Sequence, residues 1–90
     1  MEFKYHLPEE LIEVAKHFKE FANGGAQATF KLKNGRKFGQ GLISNSTWII
    51  AMRGHQDLPF ELEEIDSIYQ TEEDKNPKER GEWYYWDEWE

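Results

Sequence analysis

Glu61, Glu63, Glu64 and Asp66 are the residues whose type and spacing come closest to chemistry. A pair among them, one protonated and one ionised, would serve as general acid and base. That role needs a pocket that shifts one pKa, and no pocket-forming sequence surrounds the run, so a solvated acidic edge is the simpler reading. His6, His17 and His55 lack the close spacing of metal ligands, and no cysteine exists to supplement them. Ser44, Ser46 and Ser67 carry no nucleophile-elbow glycines. Gly39-Gln40-Gly41 is not followed by a helix, so it is no dinucleotide loop. The sequence points to binding, not to an enzyme, and no metal or cofactor is expected.

The strongest binding signal lies at the end of the chain. Of the last eight residues, Trp83, Tyr84, Tyr85, Trp86 and Trp89 are aromatic and Asp87, Glu88 and Glu90 are acids. Large rings with polar tips bury much area at small entropic cost, which suits an interface. Interleaved carboxylates call for a cationic partner. The competing reading is a last strand that folds back to cover a sheet edge.

Charge is segregated along the 90 residues, whose net charge is −7. Residues 26–56 hold Lys31, Lys33, Arg36, Lys37 and Arg53 and no acid, and residues 57–74 hold eight acids and no base. The two blocks either neutralise each other across neighbouring strands or form a dipolar surface with one acidic docking face. An acidic domain disfavours nucleic acid and anionic membrane as partners. The basic cluster and Trp48 give only a weak stacking-and-phosphate footprint. No run reaches the roughly 18 apolar residues that span a bilayer, and Met1-Glu2-Phe3-Lys4 does not read as a signal peptide. A cytoplasmic location is expected.

These residues need a scaffold. Pro8, Glu9 and Glu10 suit a helix start. Leu11, Val14, Ala15, Phe18, Phe21 and Ala22 form one apolar stripe, and Asn23-Gly24-Gly25 a stop. A helix over 8–22 is predicted. Ala26, Ala28, Phe30 and Leu32 then alternate with Gln27, Thr29, Lys31 and Lys33 as in a strand. Asn34-Gly35 predicts a two-residue hairpin turn with positive φ at both positions. On the return strand Phe38, Gln40 and Leu42 continue, and Gly39 and Gly41 mark a bulge or sharp bend. Asn45-Ser46 is a turn, Trp48–Met52 reads as the central strand, and Gly54 to Asp57 is another turn. Leu58–Leu62 reads as a short edge strand, Glu63-Glu64-Ile65 as a tight turn, and Asp66–Gln70 as the closing strand. The core is expected to contain Leu11, Phe18, Phe30, Leu32, Phe38, Leu42, Ile50, Leu62 and Ile68.

The predicted class is α+β, with an N-terminal helix on a strongly bent antiparallel sheet or small SH3/Sm-like barrel. One domain spans 1–90: helix 8–22, barrel 26–70, linker or loop 71–82, acidic aromatic tail 83–90. The helix, the strand ending Leu32-Lys33-Asn34-Gly35, the bent return strand and the late run from Phe60 to Ile68 resemble Sm-like small barrels. Over about residues 8–70 the order is similar to that of the Rof family of Rho-binding antiterminators. Arg53-Gly54 resembles the second Sm motif.

Three functions follow. The first is an immunity protein or antitoxin that blocks a cationic nuclease toxin, with carboxylates where phosphates would sit and rings where bases would stack. The resemblance implies the second, a Rof-like inhibitor that covers an RNA-binding site on a transcription factor such as Rho. It also implies the third, a ring-forming Sm-like RNA-binding protein. The expected partner-binding residues are Trp83, Tyr84, Tyr85, Trp86, Asp87, Glu88 and Trp89, together with Glu61, Glu63, Glu64 and Asp66.

Overall fold

Three β-bulges decide the shape of the sheet. A computed structural model describes residues 4–21, 24–78, 83, 85 and 86. In it five strands pair antiparallel in the order β1-β4-β3-β2-β5. They are β1 (Tyr5–His6), β2 (Gly25–Leu32), β3 (Lys37–Ser44), β4 (Trp48–Met52) and β5 (Ile65–Tyr69). The register slips between Ala28 and Phe30 of β2, between Leu42 and Ile43 of β3, and between Lys31 and Leu32 of β2 against β5. Each slip inserts one residue and sharpens the local twist, and the sheet curls into a half-barrel. The α+β class with a strongly bent sheet is therefore what the chain adopts.

The first bulge holds Gly39 and Gln40, and Gln40 has φ 55°. It reverses the facing of β3. Phe38 packs with the main core, whereas Leu42 joins Ile50 and Ala51 on the opposite face. The expected single core is thus two clusters, one on each side of the sheet. Gly41 is fixed by close approach: a Cβ there would overlap the Phe30 ring. Trp48–Met52 is apolar throughout because both faces of β4 are covered: Ile49 and Met52 pack in the main cluster, and Trp48, Ile50 and Ala51 in the other. β4 lies one strand in from the edge, and β3 is the central strand.

The turns exchange their chemistry. At Asn45 and Ser46 φ is 51° and 61°, and Thr47 N–H donates to Ser44 O at 3.0 Å. That is the tight hairpin geometry with two positive φ angles. At the Asn34-Gly35 hairpin only Gly35 has positive φ, at 90°. Gly35 N–H donates to Leu32 O, and Asn34 Oδ1 accepts from Arg36 N–H. The connection is a three-residue loop with Gly35 as its left-handed closing residue.

Helix α1 spans Glu9–Ala15, half the predicted length. The chain closes it with tight bonds from His17 N–H to Val14 O and from Phe18 N–H to Ala15 O. Gln70 then takes the backbone of Lys19, its Oε1 accepting from the Lys19 N–H and its Nε2 donating to the Lys19 O. Tertiary hydrogen bonding outweighs helical periodicity here. Leu11 and Ala15 are buried beside partly buried Ile12 and Phe18, but Val14 points to solvent. Ala22 lies outside the described residues.

Two further segments differ from expectation. Leu58–Leu62 is not a strand: the chain bends there and forms a 3₁₀ turn at Leu62–Glu64. The segment read as linker begins with a short helix α2, Glu72–Lys75. Asp74 of α2 is buried and fully bonded. Its carboxylate accepts from Gln27 Nε2 and Thr29 Oγ1, both at 2.8 Å, and from Thr71 N–H at 3.0 Å. This latch buries Gln27 and Thr29, which alternation had placed on an open face.

Candidate protein-docking site

The acidic segment folds around one anchored carboxylate. After β4, Gly54 turns the chain with φ 83°, and His55 N–H returns to Met52 O. Asp57 then projects toward β1. Its Oδ1 accepts from the Tyr5 hydroxyl at 2.5 Å and from Leu58 N–H at 2.8 Å. Among the described residues its Oδ2 has no partner. The Tyr5 bond, then the Leu58 bond and, more weakly, the Lys4 charge hold the Asp57 pKa below its ordinary value. Asp57 is therefore an oriented, ionised group with one oxygen already committed.

Phe60 fixes the floor. It is buried and packs against Phe30 and Phe38, with ring centroids 5.7 and 5.2 Å apart. Leu58 and Leu62 flank it, half-buried. The 3₁₀ turn is held by Glu61 N–H donating to the Glu64 carboxylate at 2.6 Å and by Lys33 N–H donating to Glu64 O at 2.8 Å. Between the turn and β1 lies a pocket of about 360 Å³. Phe60, Leu58 and Leu62 give it apolar surface, Tyr5 an aromatic wall, and Asp57, Glu61 and Glu63 an acidic rim. The exposed lining is more polar than apolar, so a ligand here would be held chiefly by the polar and charged groups.

The four acids singled out in the sequence separate by role. Glu61 and Glu63 line the pocket, and Glu64 spends its carboxylate on the backbone of Glu61. Asp66 is the extra residue of the β2–β5 bulge, exposed and away from the pocket lining. Sequence reasoning missed Tyr5, Asp57 and Phe60. Tyr5 and Asp57 lie 52 positions apart, so no local pattern joins them. The only local signal was Pro59, which keeps Leu58 extended.

The basic block does not neutralise this rim. Lys31 sits directly opposite Lys37 in the β2–β3 ladder, a like-charged pair, and Arg36 lies 5.0 Å over the Phe38 ring. Among the described residues the salt bridge is Lys16 to Glu13, within α1's own turn. Among the described residues no side-chain salt bridge joins the acids of 57–66 to Lys31, Lys33, Arg36 or Lys37, although the Lys33 backbone bonds Glu64 and β2 pairs with β5.

The tail packs back where it is described. Trp86 is buried in the main core, its N–H donates to Ile50 O at 3.1 Å and its Nε1 donates to His55 O at 3.2 Å. Ile50 is the bulged residue of β4, so its carbonyl is free for this bond. Trp83 lies on the outer face, stacked on Phe21 at 6.3 Å with the Arg53 guanidinium 4.0 Å above its ring. Both tryptophans act in packing, and no strand forms at the described tail residues. Tyr85 is 45 % exposed. Tyr84, Asp87, Glu88 and Trp89 lie outside the described residues.

Among the described residues no group of three His, Asp or Glu side chains is placed to hold a metal ion, and no helix is long and apolar enough to cross a membrane. Comparison of the chain with protein-family models, curated proteins and solved structures finds no match.

Proposed function

We propose that this chain is a non-catalytic binding protein that docks its acidic face on a cationic protein. The reading is an inhibitor of the immunity-protein or antitoxin type, whose target is a nuclease toxin with a basic substrate cleft. One observation carries it. Among the described residues, Asp57, Glu61 and Glu63, which line the pocket, make no salt bridge to the basic hairpin on the same molecule. Unpaired charge of one sign favours an oppositely charged protein surface and speeds its encounter. A cytoplasmic setting goes with this role.

A second reading rests on the architecture. A helix beside a curled half-barrel suits the resemblance to Rof-like inhibitors, which would cover an RNA-binding site on a transcription factor such as Rho. Both readings use the same acidic face. An Sm-like RNA-binding role would instead use the Lys31–Lys37 hairpin and form rings.

Co-expression tests the first reading. The chain should relieve growth inhibition by a toxic nuclease encoded beside it. Charge reversal at Glu61 and Glu63 should abolish that relief while the chain stays folded. Relief unaffected by reversal, or a ring-sized oligomer that binds RNA, would reject it.

A further inference from the structure

We infer that the pocket between Tyr5 and the 3₁₀ turn seats a single arginine side chain of the partner protein. This rests on the docking reading and adds the chemical identity of the anchor. With Tyr5 and Phe60 among its lining residues and Asp57, Glu61 and Glu63 beside them, the pocket suits a flat cationic group. Phe60 is only 7 % exposed and locked against Phe30 and Phe38, so the floor is rigid. Tyr5 is held by its bond to Asp57 and by an edge contact with Trp86. A guanidinium is planar and weakly hydrated, so it can lie along such rings at little desolvation cost. Its N–H edge then meets carboxylates.

Asp57 supplies the first of these. Tyr5 and Leu58 both bond Oδ1, which holds the carboxylate in place and commits only one of its oxygens. Glu61 and Glu63 line the same pocket from the 3₁₀ turn. A fork of N–H donors can reach more than one acceptor; the compact ammonium of lysine is a point charge that stays hydrated. The lysine stem would cover the floor, but its charge would lose water without a matching fork.

The test uses the full chain, labelled with ¹⁵N, and three capped tripeptides of the form Gly-X-Gly. X is arginine, lysine or citrulline, the uncharged isostere of arginine. The arginine peptide should shift the amides of Asp57, Leu58, Glu61 and Glu63 saturably. Lysine should bind about tenfold more weakly, since it forgoes one charge-assisted hydrogen bond. Citrulline should leave the amides still. Asp57→Asn keeps an oxygen for Tyr5 and Leu58, so it should hold the loop while weakening arginine about tenfold.

Equal binding of lysine and arginine would overturn the inference. So would shifts spread evenly over the acids of α1 and the pocket, or tighter binding of spermidine than of the arginine peptide. The wild-type comparison stands even if the variant fails to fold. If a cationic protein docks in a salt-dependent way while the arginine peptide leaves the pocket unmoved, the arginine inference fails and the docking reading stands. If arginine seats but no cationic protein is bound, the docking reading fails instead.

Discussion

The Trp86 indole meets the Tyr5 ring edge-on, with centroids 5.6 Å apart and planes at 90°. Tyr5 in turn holds Asp57 through its hydroxyl. Trp86 is therefore joined to the acidic pocket through Tyr5 without itself lining it. A ring that looks in sequence like an exposed partner anchor instead braces the residue that orients the anchor site.

Trp86→Ala should remove a buried ring and its indole hydrogen bond to His55 O. Truncation of a core aromatic costs about 3–5 kcal/mol, a large share of a small domain's stability. Chemical denaturation should give a midpoint well below wild type, and a chain ending at Gly81 should lose at least as much. A truncated chain that unfolds at the wild-type midpoint would show that the tail does not brace the core.

Asp74→Ala should strand the donors of Gln27 and Thr29 in a buried site. Unsatisfied buried donors cost about 1–3 kcal/mol each, so thermal unfolding should fall by roughly 10 °C or more for a domain of this size. The binding of cationic ligands should not change, because Asp74 is only 2 % exposed and hydrogen-bonded within the fold.

Gly41→Ala places a methyl against the Phe30 ring. Overpacking of this kind costs about 1–3 kcal/mol, and the shift should be read in the denaturation midpoint. A larger residue at 41 should be worse. If alanine is neutral, the Phe30 ring has room that this packing does not give it.

The pH dependence follows from the lowered pKa of Asp57, caused first by the Tyr5 bond. A carboxylate whose folded pKa is depressed adds stability above its unfolded pKa, about 3.9 for aspartate, and loses it as pH falls through the lower folded value. The Tyr5–Asp57 bond should thus hold through neutral pH and open only under stronger acid than an ordinary aspartate needs. Titration of the Asp57 carboxyl carbon by NMR reads this directly. In Tyr5→Phe the midpoint should move up.

Much of the fold was legible because it is local. Alternation in Ala26–Leu32, the Gly39 and Gly41 bulge and the Asn45-Ser46 turn each follow from a few neighbouring residues. What failed was long-range. The helix stripe from Leu11 to Ala22 was cut at Ala15 because Gln70 captures Lys19. The outer face at Gln27 and Thr29 was closed by Asp74, 47 and 45 positions away. In the candidate site the acids Glu61 and Glu63 were legible as charge. Tyr5 and Asp57 were not, because only the closed sheet brings them together.

The association rate with the cationic partner, measured across added salt, tests the central claim most directly. Surface attraction is screened over about 10 Å at 0.1 M ionic strength. The wild-type rate should therefore fall steeply as salt rises. Reversal of Glu61 and Glu63 to lysine should lower the rate at low salt and flatten its salt dependence, with the fold intact. A rate indifferent both to salt and to these two substitutions would contradict an acidic docking face.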